Sequence, residues 1–209
     1  MPADPHATRE PTAPADDPGS SWMLAYKHGD ERAFDRLVEH YSPQVFALVT
    51  RFWGTERGRE DLVQEVFLRL VRTRARYEPT ARFSTFLYRI VFNLCANQRE
   101  RERLRPALSI DAPWGGGPDG DAREPAELDA PGPSDRIERD DVVGAVRAAI
   151  ASLPATQRMA LILAKYEELP YAEIAAILNS SEKAIKSMVH RARENLRERL
   201  APFLAEESA

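Results

Sequence analysis

Thirty consecutive residues, 106–135, deny this chain a single continuous core. They read PALSIDAPWGGGPDGDAREPAELDAPGPSD, with six prolines, five glycines and seven acids against Arg123 alone. Gly and Pro interrupt regular backbone, and so few apolar side chains cannot offset the entropy of ordering the stretch. It therefore predicts a flexible acidic linker of net charge −6. Residues 1–20 are of the same kind, with five prolines and Asp4, Glu10, Asp16 and Asp17 against Arg9, and predict a disordered N-terminal tail. Two blocks remain, at 21–105 and 136–205, each long enough to bury a core. The first holds 16 basic and 11 acidic residues, while residues 136–209 hold 11 of each. The overall charge of −4 thus belongs to tail and linker, and it does not argue against a nucleic-acid partner for the basic first block.

Several classes fall away on composition. The single Cys95 has no partner for an intramolecular disulfide, which fits a reducing cytoplasm. His6, His28, His40 and His190 are scattered, so no metal site is expected. The opening MPADPHATREPTAPADDPGSS is too polar for a signal peptide, and no run approaches the apolar length of a membrane span. No glycine-rich phosphate loop follows a strand pattern, and Ser, His and Asp are not grouped. No catalytic residue and no cofactor are therefore expected.

Both blocks read as helical, so the expected fold class is all-α. In the first, Asp30 caps a helix through Ala33, Phe34, Leu37, Val38 and Tyr41. Pro43 is expected to open a second, through Val45, Phe46, Val49, Phe52 and Trp53, which Gly54 closes. A third starts near Glu60 with Leu62, Val63, Val66, Phe67, Leu70 and Val71 inward, and carries Asp61, Gln64, Glu65, Arg69 and Arg72 outward. A fourth runs from Ser84 to Arg105, apolar and aromatic at first and then almost wholly charged as QRERERLR. The second block opens with a helix at 136–152 (Ile137, Val142, Val143, Val146, Ala149 and Ile150 inward), broken at Leu153–Pro154 and followed by one through Met159 and Leu163.

The stretch LPYAEIAAILNSSEKAIKSMVHRARENLRERL is the most specific. Pro170 starts a short helix over Tyr171 to Leu178, Asn179 suits a left-handed turn, and Ser180 or Ser181 caps a second helix. That helix buries Ile185, Val189, Ala192 and Leu196, and presents Lys183, Lys186, Ser187, His190, Arg191, Arg193 and Arg197. This is the helix-turn-helix pattern, whose second helix fits a DNA major groove. In the long helix of the first block, aromatic and basic residues interleave from Arg82 to Arg103. They read either as core aromatics with a solvated charged face, or as a surface for single strands, where aromatics stack bases and Arg meets phosphate.

With these features assembled, the sequence resembles the extracytoplasmic-function (ECF) group of bacterial sigma factors. GDERAFDRLVEHY resembles the opening helix of sigma region two, EDLVQEVFLRLVR its polymerase-binding helix, and RFSTFLYRIVFNLCANQRER its promoter-melting segment. The segment from SLPATQRMAL to RENLRERL resembles region four, and the similarity covers 22–105 and 136–203 in the family's order. The resemblance implies an alternative sigma factor that binds core RNA polymerase and promoter DNA, with an anti-sigma factor as a further expected partner and no membrane insertion. It implies that Asp61, Gln64 and Glu65 dock on polymerase. Phe83, Phe86, Tyr88 and Asn93 would open the minus-ten element and hold an unstacked base, with Arg89, Arg99, Arg101 and Arg103 on its backbone. Lys183, Lys186, Ser187, His190 and Arg191 would read the minus-thirty-five element. The family usually has Trp at Phe86, Gly at Asn179, Thr at Ala184 and Arg at Met188. The rival expectation is a helix-turn-helix repressor or activator with no sigma role.

Overall fold

The computed structural model describes residues 17–54, 58–104 and 133–206. Eight α-helices and a short 3-10 turn account for most of these residues, and there is no strand among them. The expected flexibility of residues 1–16 and 106–132 falls outside the described residues, as does the side chain of Arg103.

The first helix, α1 (Pro18–Lys27), begins inside the stretch expected to be tail. Asp17 is its N-cap and accepts from the Gly19 amide at 3.1 Å, with Pro18 supplying a pre-set φ at the first helical position. The same carboxylate accepts from the Tyr41 hydroxyl on α2 (Glu31–Trp53) and from the Ser84 amide, at 2.8 Å, in the first turn of α4 (Phe83–Leu104). One buried acid therefore ties three helices together. Burial raises its pKa, but the hydrogen bonds from Tyr41, Ser84 and Gly19 outweigh that and hold it below the ordinary 3.8. Gly19 is required here, because a Cβ would collide with the Phe83 ring and the Tyr41 hydroxyl. Residues 17–20, expected to belong to the tail, are thus part of the helical block.

Pro43 does not open a new helix: α2 runs unbroken from Asp30, its N-cap, to Gly54, its left-handed stop. Pro43 lies on the solvent face, where the carbonyl deprived of its helical donor can be hydrated. Helices α3 (Arg59–Thr73) and α4 complete the bundle around Leu37, Val45, Leu48, Phe52, Leu70, Leu87 and Val91. Val71, expected inward, is exposed.

The second block comprises α5 (Pro133–Ala151), α6 (Ala155–Lys165), α7 (Tyr171–Leu178) and α8 (Glu182–Glu206), with the break at Leu153–Pro154 as the sequence predicts. Val142 and Val143 are exposed rather than inward. They edge an apolar groove of about 370 Å³ lined also by Phe52, Val146, Ile150 and Tyr166, formed where α5 approaches the end of α2.

The blocks pack on each other, α4 against α7 and α2 against α6. Buried Arg158 on α6 stitches this junction. Its guanidinium lies over the Phe52 ring at 5.1 Å and donates to the carbonyls of Phe52 (2.9 Å), Leu153 (3.1 Å) and Ala151. These carbonyls sit at or near helix C-termini, where a cation is favoured.

Candidate polymerase and nucleic-acid interfaces

Three surfaces carry the expected site residues. On α3, Asp61 and Gln64 are exposed, while Glu65 is half-buried and held by Arg72 at 2.9 Å and Arg69 at 3.6 Å. Leu68, 48% exposed, and Val71 continue the same face. This apolar extension was not among the expected docking residues, although Leu68 lies four residues past Gln64 and seven past Asp61, a spacing that could have revealed it. A polar groove of about 490 Å³ separates α3 from α4, lined by Asp61, Glu65, Trp53, Asn97, Gln98 and Arg101.

On α4 the expected DNA residues divide. Phe83 is wholly buried, its ring 5.0 Å from Tyr41 and 6.1 Å from Tyr77, so it belongs to the core and cannot meet a base in this arrangement. Phe86 is half-buried against Tyr77 at 5.2 Å. Arg89 and Asn93 are exposed and follow Phe86 at steps of three and four, with Asn97 four further on, so all four share one helical stripe. Tyr88 is only 4% exposed, and its hydroxyl donates to Glu167 at 3.0 Å. Burial, with the facing Glu167 carboxylate, pushes that hydroxyl far above its ordinary range. Arg101 is exposed, and Arg99 lies over the Trp53 ring at 5.6 Å.

The helix-turn-helix forms as its turn chemistry predicts. Asn179 adopts φ 48° and ψ 55°, and the Ser181 hydroxyl accepts from the Ala184 amide at 3.2 Å, capping α8. Ile185, Val189 and Ala192 are wholly buried, each larger side chain contributing about 1.5–3 kcal/mol. Lys183, Lys186, Ser187, His190 and Arg191 all stand exposed on the other face. A shallow cavity of about 360 Å³ opens among Tyr171, Lys183, Lys186, Ser187, His190 and Arg193. Met188 is half-buried against the core.

Comparison with known proteins decides between the two expectations. Residues 37–105 match the family model for sigma-70 region 2, and residues 144–196 match that for sigma-70 region 4. The chain is 31% identical over 189 residues to the RNA polymerase sigma-H factor of Pseudomonas aeruginosa, covering 86% of this chain and 92% of that protein. It is 35% identical over 199 residues to the ECF RNA polymerase sigma factor SigE of Mycolicibacterium smegmatis, covering 92% and 72% respectively. The chain belongs to the extracytoplasmic-function group of RNA polymerase sigma factors. As an alternative sigma factor it directs transcription initiation. A region 2 in the first block leaves the repressor alternative without support.

Two solved structures share the sigma factor's fold. One is the sigma factor RpoE of Bartonella quintana in complex with the anti-sigma factor NepR, at 26% identity and TM-score 0.57, covering 80% of this chain and 96% of that one. The other is CnrH in complex with the cytosolic domain of CnrY, at 22% identity and TM-score 0.62, covering 89% and 99%. Among the described residues, no helix is long and apolar enough to cross a membrane, and no acidic, His or Cys cluster could hold a metal ion.

Proposed function

We propose that the two blocks of this sigma factor divide initiation between them, without covalent chemistry of their own and in the cytoplasm where polymerase and DNA meet. Asp61, Gln64 and Glu65, extended by Leu68, dock α3 on core polymerase. The stripe of Phe86, Arg89 and Asn93, with Arg99, Arg101 and Arg103 beyond it, opens and holds the minus-ten element. Phe83 supports that stripe from the core, and Tyr88 joins it once uncovered. Lys183, Lys186, Ser187, His190 and Arg191 on α8 read the minus-thirty-five element as duplex.

One observation carries the reading: Asn93, a side chain able to pair with a base edge, stands exposed between Arg89 and the charged end of α4. An anti-sigma factor is the proposed regulatory partner, as it is for the Bartonella quintana relative. The apolar groove edged by Val142, Val143 and Tyr166 offers it a surface rimmed by Arg51 and Arg147.

Single substitutions test the division, assayed with core polymerase on a promoter selected by run-off transcription from a randomised library. Asn93→Ala should reduce permanganate-detected opening by about tenfold or more while core binding is unchanged, a loss of ~1.4 kcal/mol. Asp61→Ala should weaken core capture, and Lys186→Ala should relax preference at the upstream element by ~1–3 kcal/mol. Opening that is indifferent to Asn93→Ala would remove α4 from the minus-ten role.

A further inference from the structure

The apolar groove at the end of α2 has the walls of a small-molecule site. Val146 and Ile150 on α5, Phe52 on α2 and Ile162 on α6 line a volume of about 370 Å³, at the lower end of the range that small ligands occupy. At its edge Val142, Val143 and Tyr166 remain 37%, 44% and 50% exposed. Three apolar side chains left in water around one concavity are surface that an occupant would remove from solvent. Gly54 leaves one side of the groove open: it turns the chain at φ 90°, and a Cβ there would meet no atom within 4 Å.

The few polar groups of the groove offer protons rather than acceptor charge. None of the described residues lining it is acidic. Arg51 is already committed, to Glu167 at 3.2 Å and to the face of the Tyr166 ring at 4.7 Å. Arg147, exposed at the rim, has no acidic partner among the described residues, so one positive charge is left uncompensated. The Thr50 hydroxyl, buried in the wall, has no hydrogen-bond partner either. A buried hydroxyl in that state carries a desolvation cost that a ligand oxygen would relieve.

We propose that this groove binds a small amphipathic carboxylic acid, with a medium-length hydrocarbon body and a single ionised head. The body replaces water against the valines, Ile150 and Phe52. The carboxylate accepts from the Arg147 guanidinium, whose planar fork matches two carboxylate oxygens, and Thr50 supplies a further donor. A phosphate monoester would bring a second charge to a rim with one free cation, and an alcohol would leave Arg147 unmatched. Both blocks contribute walls, so the acid binds them only as a packed pair and stabilises that pair by mass action. The same groove is the surface offered above to an anti-sigma factor, and the two occupants exclude each other. Binding of the acid itself does not rest on that reading.

Isothermal titration of the full chain at pH 7 tests this, with hexanoate, octanoate and decanoate below their micellar concentrations and 1-octanol as the uncharged control. Binding should be saturable, one to one, and about three- to fourfold tighter for each added methylene. Arg147→Gln should weaken octanoate about tenfold and leave 1-octanol unchanged. Val143→Glu, at an exposed position, should abolish binding of all three acids while circular dichroism shows the helices intact. The proposal is overturned by the absence of saturable decanoate binding, by affinities indifferent to chain length, or by equal losses for octanoate and 1-octanol in Arg147→Gln. The titration contains neither polymerase nor an anti-sigma factor. Failure of the sigma role therefore appears in run-off transcription, and failure of the acid site appears here.

Discussion

Asp17→Ala removes one small side chain from the edge of an apparent tail, yet it should be among the most damaging substitutions in the first block. The carboxylate accepts from Tyr41, Gly19 and Ser84, so its loss leaves a buried hydroxyl and two helix-terminal amides without their acceptor. Hydrogen bonds to a charged group contribute about 1.5–3 kcal/mol each, and three that share one acceptor do not add fully, giving an expected loss of about 3–5 kcal/mol. For a chain of this size that is a fall in melting temperature of ~10 °C, measured by circular dichroism at pH 7. The pH dependence has a definite sign. The folded-state pKa of Asp17 lies below its ordinary value, so its contribution is complete above about pH 4 and is lost as the pH falls through the folded-state value. The gap between wild type and Asp17→Ala should hold steady from pH 7 to pH 5 and close below that. A shift smaller than ~2 °C, or a gap as wide at pH 3 as at pH 7, would refute the three-helix role of this carboxylate.

Two further outcomes follow from local geometry. Ser181→Ala should cost about 1 kcal/mol by removing the cap of α8, whereas Asn179→Gly should be neutral or slightly stabilising, because φ 48° suits glycine better; urea denaturation midpoints separate the two. Cys95 is buried, and burial pushes its thiol up to about 12, so Ellman's reagent at pH 8 should label it only at the rate of unfolding. Fast labelling of the native protein would contradict its place in the core.

What could be read in advance was local. The helix-turn-helix rests on a left-handed Asn179, a capping Ser181 and a buried stripe at three- and four-residue spacing, all within some twenty residues of chain. The helix α1 was not legible, because its anchor is long-range: Asp17 acquires meaning only beside Tyr41 and the first turn of α4. Pro43 does not mark a helix start, because a proline on a solvent face can remain inside a long helix whose other face is packed in the core. Phe83 and Phe86 look alike in sequence, and only packing against Gly19, Tyr41 and Tyr77 separates the core ring from the half-exposed one. Val142 and Val143 lie on an apolar stripe, but α5 buries Ala149 and leaves the valines facing a groove. The contact of Glu167 with Tyr88 on α4 depends on how two blocks dock, which no periodicity within either block encodes.

Run-off transcription with this chain as the sole sigma factor added to purified core polymerase reads sigma activity itself. Discrete transcripts should appear from a subset of library promoters sharing two elements at fixed spacing, absent with core alone and about tenfold or more weaker with Asn93→Ala. Transcript yield no greater than that of core alone, from every promoter in the library, would contradict that activity.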